Sequence, residues 1–252
     1  PSAIVEFTAT PAGVKNPSNV LHSVSAAELK AEYMIKLPIR LETHTDWQAL
    51  LSDAIAQRGE LEKDAEIEER KTGEYIRPIM IIKAQTLRQG HETLTVEVIE
   101  KSLIEDHRIP VEQIARATGE DRGIEDVDLA AKDCPIRYII TIQALREGWD
   151  CPFAYVLCAV AEQRSTGAVE QILGRVLRLP GCRERTIPDL NRAYAFVSSR
   201  NFAEAANNLV DALVENGFNK LEAREFIKPV QPQMDGFVMP KAMRTPRPKR
   251  VE

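Results

Sequence analysis

The sequence predicts an α/β fold in which a parallel sheet is covered by helices on both faces. Four short, continuous apolar runs, typical of strands buried on both faces, lie at 77–84, 135–142, 154–161 and 192–199. Helix-like segments alternate with these runs at 91–107, 166–179 and 201–218. A weaker strand-like segment lies at 112–119. Strands that alternate with helices need crossover connections, which place the helices over the sheet.

Composition restricts the class of protein further. The chain has 252 residues, is 44% hydrophobic and carries a net charge of −5, so it can bury a large core but has no global basic field. Binding to nucleic acid would therefore depend on local positive charge. The four cysteines form no C-x-x-C pair, which argues against a zinc site or a disulfide framework. With no apolar run of membrane-spanning length and no visible signal peptide, we expect a cytoplasmic protein without membrane contact.

The two ends of the chain differ from its centre. The chain starts at Pro1 and enters at once into AIVEFTATPAG (3–13), which resembles the end of a buried strand, so we expect a piece of a longer protein. The tail over 229–252 is rich in proline and basic residues and has no helical period, so we expect it to be extended or disordered.

Two further helices are predicted near the amino-terminal end. One lies within 23–39 and begins at Ser23 or Ser25, before an extended exit to Pro38. The other covers 46–72, with Asp46 as its N-cap. The second half of that helix is highly charged, and pairs such as Glu66 with Arg70 indicate a solvated surface.

The segment QILGRVLRLPG (171–181) combines an apolar helix with a narrow polar stripe. The stripe consists of four residues at positions i, i+3, i+4 and i+7, namely Gln171, Gly174, Arg175 and Arg178. Glycine inside a helix costs about 1 kcal/mol relative to alanine, which suggests that another group approaches closely at this point. The guanidinium fork suits phosphate oxygens. The stripe therefore predicts an anion site, and the alternative is a set of ordinary salt bridges.

Two other segments carry polar groups at the ends of strands. TIQALREGWDCP (141–152) follows an apolar run directly and offers the Thr141 hydroxyl, the Gly148 backbone and the Asp150 carboxylate. Its alternative interpretation is a plain β–α loop with an N-capping aspartate. FTATP (7–11) ends the first strand-like segment, and its alternative is a simple turn at proline.

Taken in this order, the three segments resemble motifs III, V and VI of superfamily 2 helicases and translocases. TAT matches motif III, T…EGWD resembles motif V, and QILGRVLR matches the Q-x-x-G-R-x-x-R of motif VI. RPIMIIKAQ (77–85) fits the first strand of the second RecA-like domain, which carries motif IV. The closest resemblance, over roughly residues 3–200, is to the restriction (Res) subunit of type III restriction enzymes and related DEAD/DEAH-box proteins.

This resemblance implies a RecA-like fold of the P-loop NTPase type and a division of the chain. It gives the end of a first RecA-like domain and its connection over 1–40, a helical linker over 41–76, and the second RecA-like domain over 77–228. The chain contains no G-x-x-x-x-G-K-[ST] loop and no strand-following Asp-Glu pair. In the family both lie upstream of motif III, so we expect ATP with Mg to be held chiefly by a preceding domain and this chain alone to be inactive.

The resemblance also implies roles for individual residues. Arg178 is expected to be the arginine finger on the γ-phosphate, with Arg175 on the same phosphate or on Asp150. Gln171 is expected to sense the nucleotide or its attacking water, and Gly148 and Asp150 to lie near the ribose and phosphates. Contacts to nucleic acid, or coupling of it to ATP, are implied for Thr8, Thr10, Lys83 and Thr141. The implied partners are nucleic acid, in particular double-stranded DNA, and a modification (methyltransferase) subunit.

Two other functions stay open from the sequence. One is a non-catalytic RecA-like module for docking or regulation, which has no need for Arg175 and Arg178 together with Asp150. The other is an unrelated doubly wound enzyme that uses Cys151 as a nucleophile, although no histidine lies near Cys151 in the sequence. DNA or RNA preference, recognition sequence and a nuclease activity are not revealed by these patterns.

Overall fold

A computed structural model describes much of the chain between residues 19 and 229. The described residues are 19, 21–22, 24–85, 93–118, 124, 127–142, 151–160, 176–215 and 218–229. The predictions for the strand-like segment at 3–13, for most of the helix at 166–179 and for nearly all of the tail therefore fall outside them.

The described helices and strands alternate from the first helix to the strand at Ile114–Ala117, and three more described strands then follow before the helix at Phe202–Glu215. The helices are α1 (Ala26–Ala31), α2 (Trp47–Thr72), α3 (Val96–Glu105), α4 (Phe202–Glu215) and α5 (Lys220–Glu225). The strands are β1 (Ile39–His44), β2 (Ile79–Lys83), β3 (Ile114–Ala117), β4 (Tyr138–Thr141), β5 (Ala154–Ala159), β6 (Ala193–Ser198) and β7 (Ile227–Pro229). Single 3₁₀ turns lie at Val111–Gln113, Pro180–Cys182 and Pro188–Asn191.

The seven strands form one sheet in the order β3-β4-β2-β5-β6-β1-β7, and every neighbouring pair is parallel. The four apolar runs of the sequence are strands β2, β4, β5 and β6 of this sheet. The predicted fold class, an α/β protein with a RecA-like parallel sheet between helices, is confirmed.

Two separate cores cover the two faces of the sheet. Successive strand residues point to opposite faces, so Ile81 lies in one core and Ile82 in the other. The first core contains side chains of α4 and α5, including Leu209, Leu213 and Ala223. The second contains side chains of α2 and α3, including Leu50, Leu61 and Ile99. Because all five residues of β2 and all six of β5 are buried, both strands read in the sequence as continuous apolar runs.

Strand β1 and helix α2 lie within these same layers. β1 pairs with β6 on one side and with β7 on the other, so that Ile39 is in register with both Ala193 and Ile227. Helix α2 contributes Leu50, Leu61 and other residues to the second core. The predicted boundaries end the first domain at 40 and make 41–76 a linker. They do not predict that β1 is a strand of this sheet or that α2 packs on it. The reason is that β1 (IRLETH) alternates apolar with charged residues and lacks the pattern of a central strand.

Local signals at the helix ends agree with the sequence. Ser25 caps α1, accepting a hydrogen bond from the Glu28 N–H (3.2 Å), while the Glu28 carboxylate accepts one from the Ser25 N–H (2.6 Å). Asp46 caps α2 by accepting from the Gln48 N–H (3.0 Å). Helix α2 ends at Gly73, whose φ of 76° is left-handed and suits glycine.

We expect Ile81→Ala to lower the free energy of unfolding by about 2–5 kcal/mol, because the deletion leaves a cavity at the centre of β2. Ile81 is fully buried. Leu221→Ala is the matched control, since that side chain is 72% exposed on α5, and its effect should stay within about 0.5 kcal/mol. Urea denaturation of both variants measures the difference, and equal effects would contradict the central position of β2.

Candidate functional site

The carboxyl ends of β2 and β5 form a topological switch point. From β2 the chain crosses to β3 on one side of the sheet, whereas from β5 it continues to β6 on the other side. In open parallel sheets, ligands bind in the crevice outside the carboxyl ends at such a point. Lys83 ends β2 here, in register with Thr141 on one neighbouring strand and with Ala159 on the other. We therefore take this edge of the sheet as the candidate functional site.

Lys83 places a cation at this edge. Its side chain follows Ile79 and Ile81 on the face that α4 and α5 cover. The residue is buried, and this burial lowers the pKa of its ammonium group below the ordinary value for lysine. An anionic ligand at the strand ends would offset the cost of desolvating this charge.

Thr141 occupies the corresponding position at the end of β4. It is fully buried, and its Oγ1 donates a hydrogen bond to the carbonyl oxygen of Ala117 (2.9 Å). The hydroxyl therefore ties the end of β4 to the end of β3. The role of Thr141 as a phosphate contact stays a prediction.

Arg178 lies outside the helical conformation that the sequence predicts for it. Val176 is the last helical residue, and Arg178 instead forms an isolated antiparallel bridge with Ile35. The prediction of a helix through residue 179 is therefore wrong at its carboxyl end. Pro180 disfavours a helical conformation in the residue before it, and the Leu179 N–H bonds to the Met34 carbonyl (3.0 Å). Arg178 does not complete a straight helical stripe, but its side chain is exposed.

The loop after Arg178 is anchored by two buried charged side chains. Glu68 of α2 accepts hydrogen bonds from the Thr186 N–H (2.9 Å), the Thr186 hydroxyl (2.5 Å) and the Ile187 N–H (3.2 Å). Arg185 donates to the Pro180 carbonyl and to the Glu74 carboxylate (3.1 Å). These contacts fix the backbone on the carboxyl side of Arg178 against α2 and the residues that follow it.

The other predicted site residues fall outside the described residues. They are Thr8, Thr10, Gly148, Asp150, Gln171 and Arg175. Their segments are located only by the strands that flank them: 143–150 joins the end of β4 to the start of β5, and 161–175 follows β5. The roles of these six residues stay predictions.

A buried lysine, Lys36, is a feature that the sequence analysis missed. Its Nζ donates hydrogen bonds to the carbonyl oxygens of Pro152 (2.8 Å) and Ala154 (2.6 Å), and it lies 4.0 Å from the centroid of the Tyr155 ring. The only signal in the sequence is a lysine between two apolar residues just before Pro38. That pattern also fits a solvent-facing side chain.

Cys151 lies near Lys36, three residues before β5. It is almost fully buried, and desolvation raises the pKa of its thiol to about 11, although the nearby Lys36 charge acts in the opposite direction. At neutral pH the thiol is protonated and shielded, whereas a nucleophilic cysteine needs an accessible thiolate. These properties argue against the alternative in which Cys151 is a catalytic nucleophile.

One group of metal-ligating side chains occurs among the described residues, at the carboxyl end of β1. His44 Nε2 lies 2.9 Å from Glu42 Oε1 and 3.0 Å from Asp53 Oδ2, the latter on α2. All three side chains are partly exposed. Polar contacts of the His44 ring with the two carboxylates account for the geometry of the group, so we assign no metal to it.

No family model and no curated protein matches the chain. One similar solved structure is the ATP-dependent Type ISP restriction-modification enzyme LlaBIII bound to DNA, with a TM-score of 0.41 and 12% sequence identity. The match covers 80% of this chain and 15% of that enzyme, so the chain spans a small part of the other protein. Within the described part of the chain, no helix is both long and apolar enough to cross a membrane.

We expect one cysteine of the four to react quickly with Ellman's reagent in the folded protein. Cys182 is exposed, whereas Cys134, Cys151 and Cys158 are buried, and burial raises the thiol pKa of Cys151 and Cys158. The native protein should rapidly release about one equivalent of the coloured thiolate from the reagent, and the urea-unfolded protein about four. Cys182→Ser should abolish the rapid phase. A rapid phase that persists in this variant and disappears in Cys151→Ser would restore the cysteine-nucleophile alternative.

Proposed function

We propose that this chain is the second motor domain of an ATP-dependent nucleic-acid helicase or translocase of the kind that the Res subunit of type III restriction enzymes represents. The observation that carries the proposal is the position of the two strongest motifs relative to the sheet. T…EGWD begins at the end of β4, and QILGRVLR follows β5, so the two segments flank the central strand β2. The crevice expected at the switch point therefore lies between the end of β4, where the first segment starts, and the end of β5, which the second segment follows.

The arginines of QILGRVLR would act on ATP held by another domain. We infer that Arg178, with Arg175, stabilises the negative charge that develops on the γ-phosphate, and that Gln171 senses the nucleotide or its attacking water. The exposure of Arg178 supports this role, because a side chain that acts across an interdomain cleft must extend beyond its own domain. Gly148 and Asp150 would lie near the ribose and phosphates.

Hydrolysis would then depend on closure of two domains. The sequence lacks a phosphate loop, so ATP and Mg would be bound mainly by a partner domain, and this chain alone would not hydrolyse ATP. ATP would favour the closed arrangement in which Arg178 reaches the phosphate, and the products would not. Alternate closure and opening would move the domains along the nucleic acid.

Double-stranded DNA is the track that we propose, with a modification methyltransferase as a further subunit. Translocation along the phosphate backbone of DNA requires only local hydrogen-bond donors to the phosphates. This requirement is compatible with a net charge of −5 for the chain. Lys83 and Thr141 would contact the nucleic acid or couple it to ATP, and Lys83 would offer a cation at the strand ends. Thr8 and Thr10 would couple the ATP site to the nucleic acid.

The competing function is a docking or regulatory module with the same fold. It predicts that the two arginines are structural or dispensable. An exposed Arg178 held in place by the Ile35 bridge on one side and by anchored residues of the following loop on the other is better suited to a catalytic contact.

In the full-length protein, we expect Arg178→Ala to leave ATP binding nearly unchanged but to reduce nucleic-acid-stimulated ATP turnover by about 10³–10⁵, the range for loss of an arginine finger. Lysine should not restore turnover, because it lacks the planar fork of arginine. Steady-state ATPase assays and nucleotide titrations measure the two quantities separately.

The matched control is Arg183→Ala, which removes an exposed arginine from the adjacent loop, where it pairs with Glu74 at 2.7 Å. This variant should retain turnover within a few-fold. If Arg178→Ala behaved like the control, the finger assignment would be wrong and the docking function would be favoured.

A further inference from the structure

Residues 34–36, which we call the strap, connect α1 to the sheet and contact two segments that are distant in sequence. One segment is 177–179, at the end of QILGRVLR. The other is 151–154, at the end of the EGWD segment. Both segments belong to the proposed motor site, and they are separated from the strap by more than a hundred residues.

The strap holds the first segment through its backbone. The Lys36 N–H donates a hydrogen bond to the Leu177 carbonyl (2.5 Å), and the Met34 carbonyl accepts one from the Leu179 N–H (3.0 Å). Between these two bonds, Ile35 lies opposite Arg178 as an antiparallel bridge. The backbone position of Arg178 is therefore set by the strap.

The strap holds the second segment through the Lys36 side chain. The ammonium group is fully buried, donates to the Pro152 and Ala154 carbonyls (2.8 and 2.6 Å), and lies over the Tyr155 ring. Burial of an ammonium is costly unless such partners replace water. Loss of the side chain would leave two carbonyl oxygens without this donor, so residues 151–154 depend on Lys36 for their position.

We propose that Lys36 is a positioning residue that makes the strap a mechanical link between the preceding domain and both motif segments. The inference rests on the proposed function, in which the residues before the strap lead from a first RecA-like domain. A displacement of that domain would act on the Arg178 backbone and on the loop before β5 together, through one short extended piece of chain. Lys36 touches neither nucleotide nor nucleic acid in this scheme and acts by orienting the two segments.

The first test of the link is amide hydrogen exchange in the full-length protein. Lys36→Met keeps most of the volume and removes the donor, so we expect exchange at the Leu179 and Ala154 amides to accelerate by about tenfold or more, as for loss of a buried hydrogen bond. These amides bond to Met34 and Cys151 respectively. Acceleration at Ala154 alone would overturn the proposal, because the two segments would then not be linked.

Arg58→Met is the matched control for the loss of a buried cation. Arg58 is buried in α2, where it donates to the Pro78 carbonyl (3.1 Å) and pairs with Glu62, and none of its own described hydrogen bonds or ion pairs is with the strap, 151–154 or 177–179. It should leave exchange at Leu179 and Ala154 unchanged. Should Lys36→Met not fold, Lys36→Gln, which retains a donor, is measured in the same way, and a smaller acceleration at both amides is the expected result.

The second test separates positioning from stability. We expect Lys36→Met to reduce nucleic-acid stimulation of ATPase by about tenfold with the KM for ATP unchanged, because orientation of Arg178 is a transition-state effect. Arg58→Met should leave the ratio of stimulated to basal rate unchanged. An unchanged stimulation ratio in Lys36→Met would refute the positioning role. A wild-type protein without nucleic-acid-stimulated ATPase would refute the proposed function instead, while hydrogen exchange would still decide whether the strap links the two segments.

Discussion

Burial of β2 and β5 on both faces is the constraint on which the rest of the structure depends. Neither strand has a solvated face, so each needs a helical layer above and below it. Parallel neighbours cannot be joined by tight hairpins, and every connection must therefore cross the sheet and return. All strands consequently end at the same edge, which brings Lys83 and Thr141 together.

Charged side chains donate to backbone carbonyls at three places where irregular chain is packed against this sheet. Lys36 does so for the loop before β5, and Arg185 for the turn at Pro180. Arg77, just before β2, donates to the Leu129 (2.5 Å) and Ala131 (2.9 Å) carbonyls. Buried carbonyls outside secondary structure need donors, and a long cationic side chain can supply several from one point. The loops are thus held in defined positions without extending the helices or strands.

The sequence predicts much of the fold and less of the site. The central strands and the caps at Ser25 and Asp46 follow from local signals, namely continuous apolar runs and side chains that accept from the first helical turn. The pairing of β1 is not local, and its alternating composition resembles that of a surface segment. The misplaced helix end at Arg178 has the same origin, because the competing hydrogen-bond partners belong to residues 34–36, far away in the chain. The burial of Lys36 likewise depends on partners that are distant in the chain, Pro152 and Ala154, so the local sequence pattern does not predict it.

The position of β1 also affects how the chain reaches this structure during synthesis. Ile39 of β1 is in register with Ala193 of β6, which lies 154 residues later in the chain, and β7 lies later still. A nascent chain would expose the apolar side of β1 until β6 and β7 have emerged from the ribosome, and closure of so long a loop is slow. The last steps of folding would therefore insert an early strand between two late ones, so that a truncated or stalled chain would leave an unpaired strand edge open to aggregation.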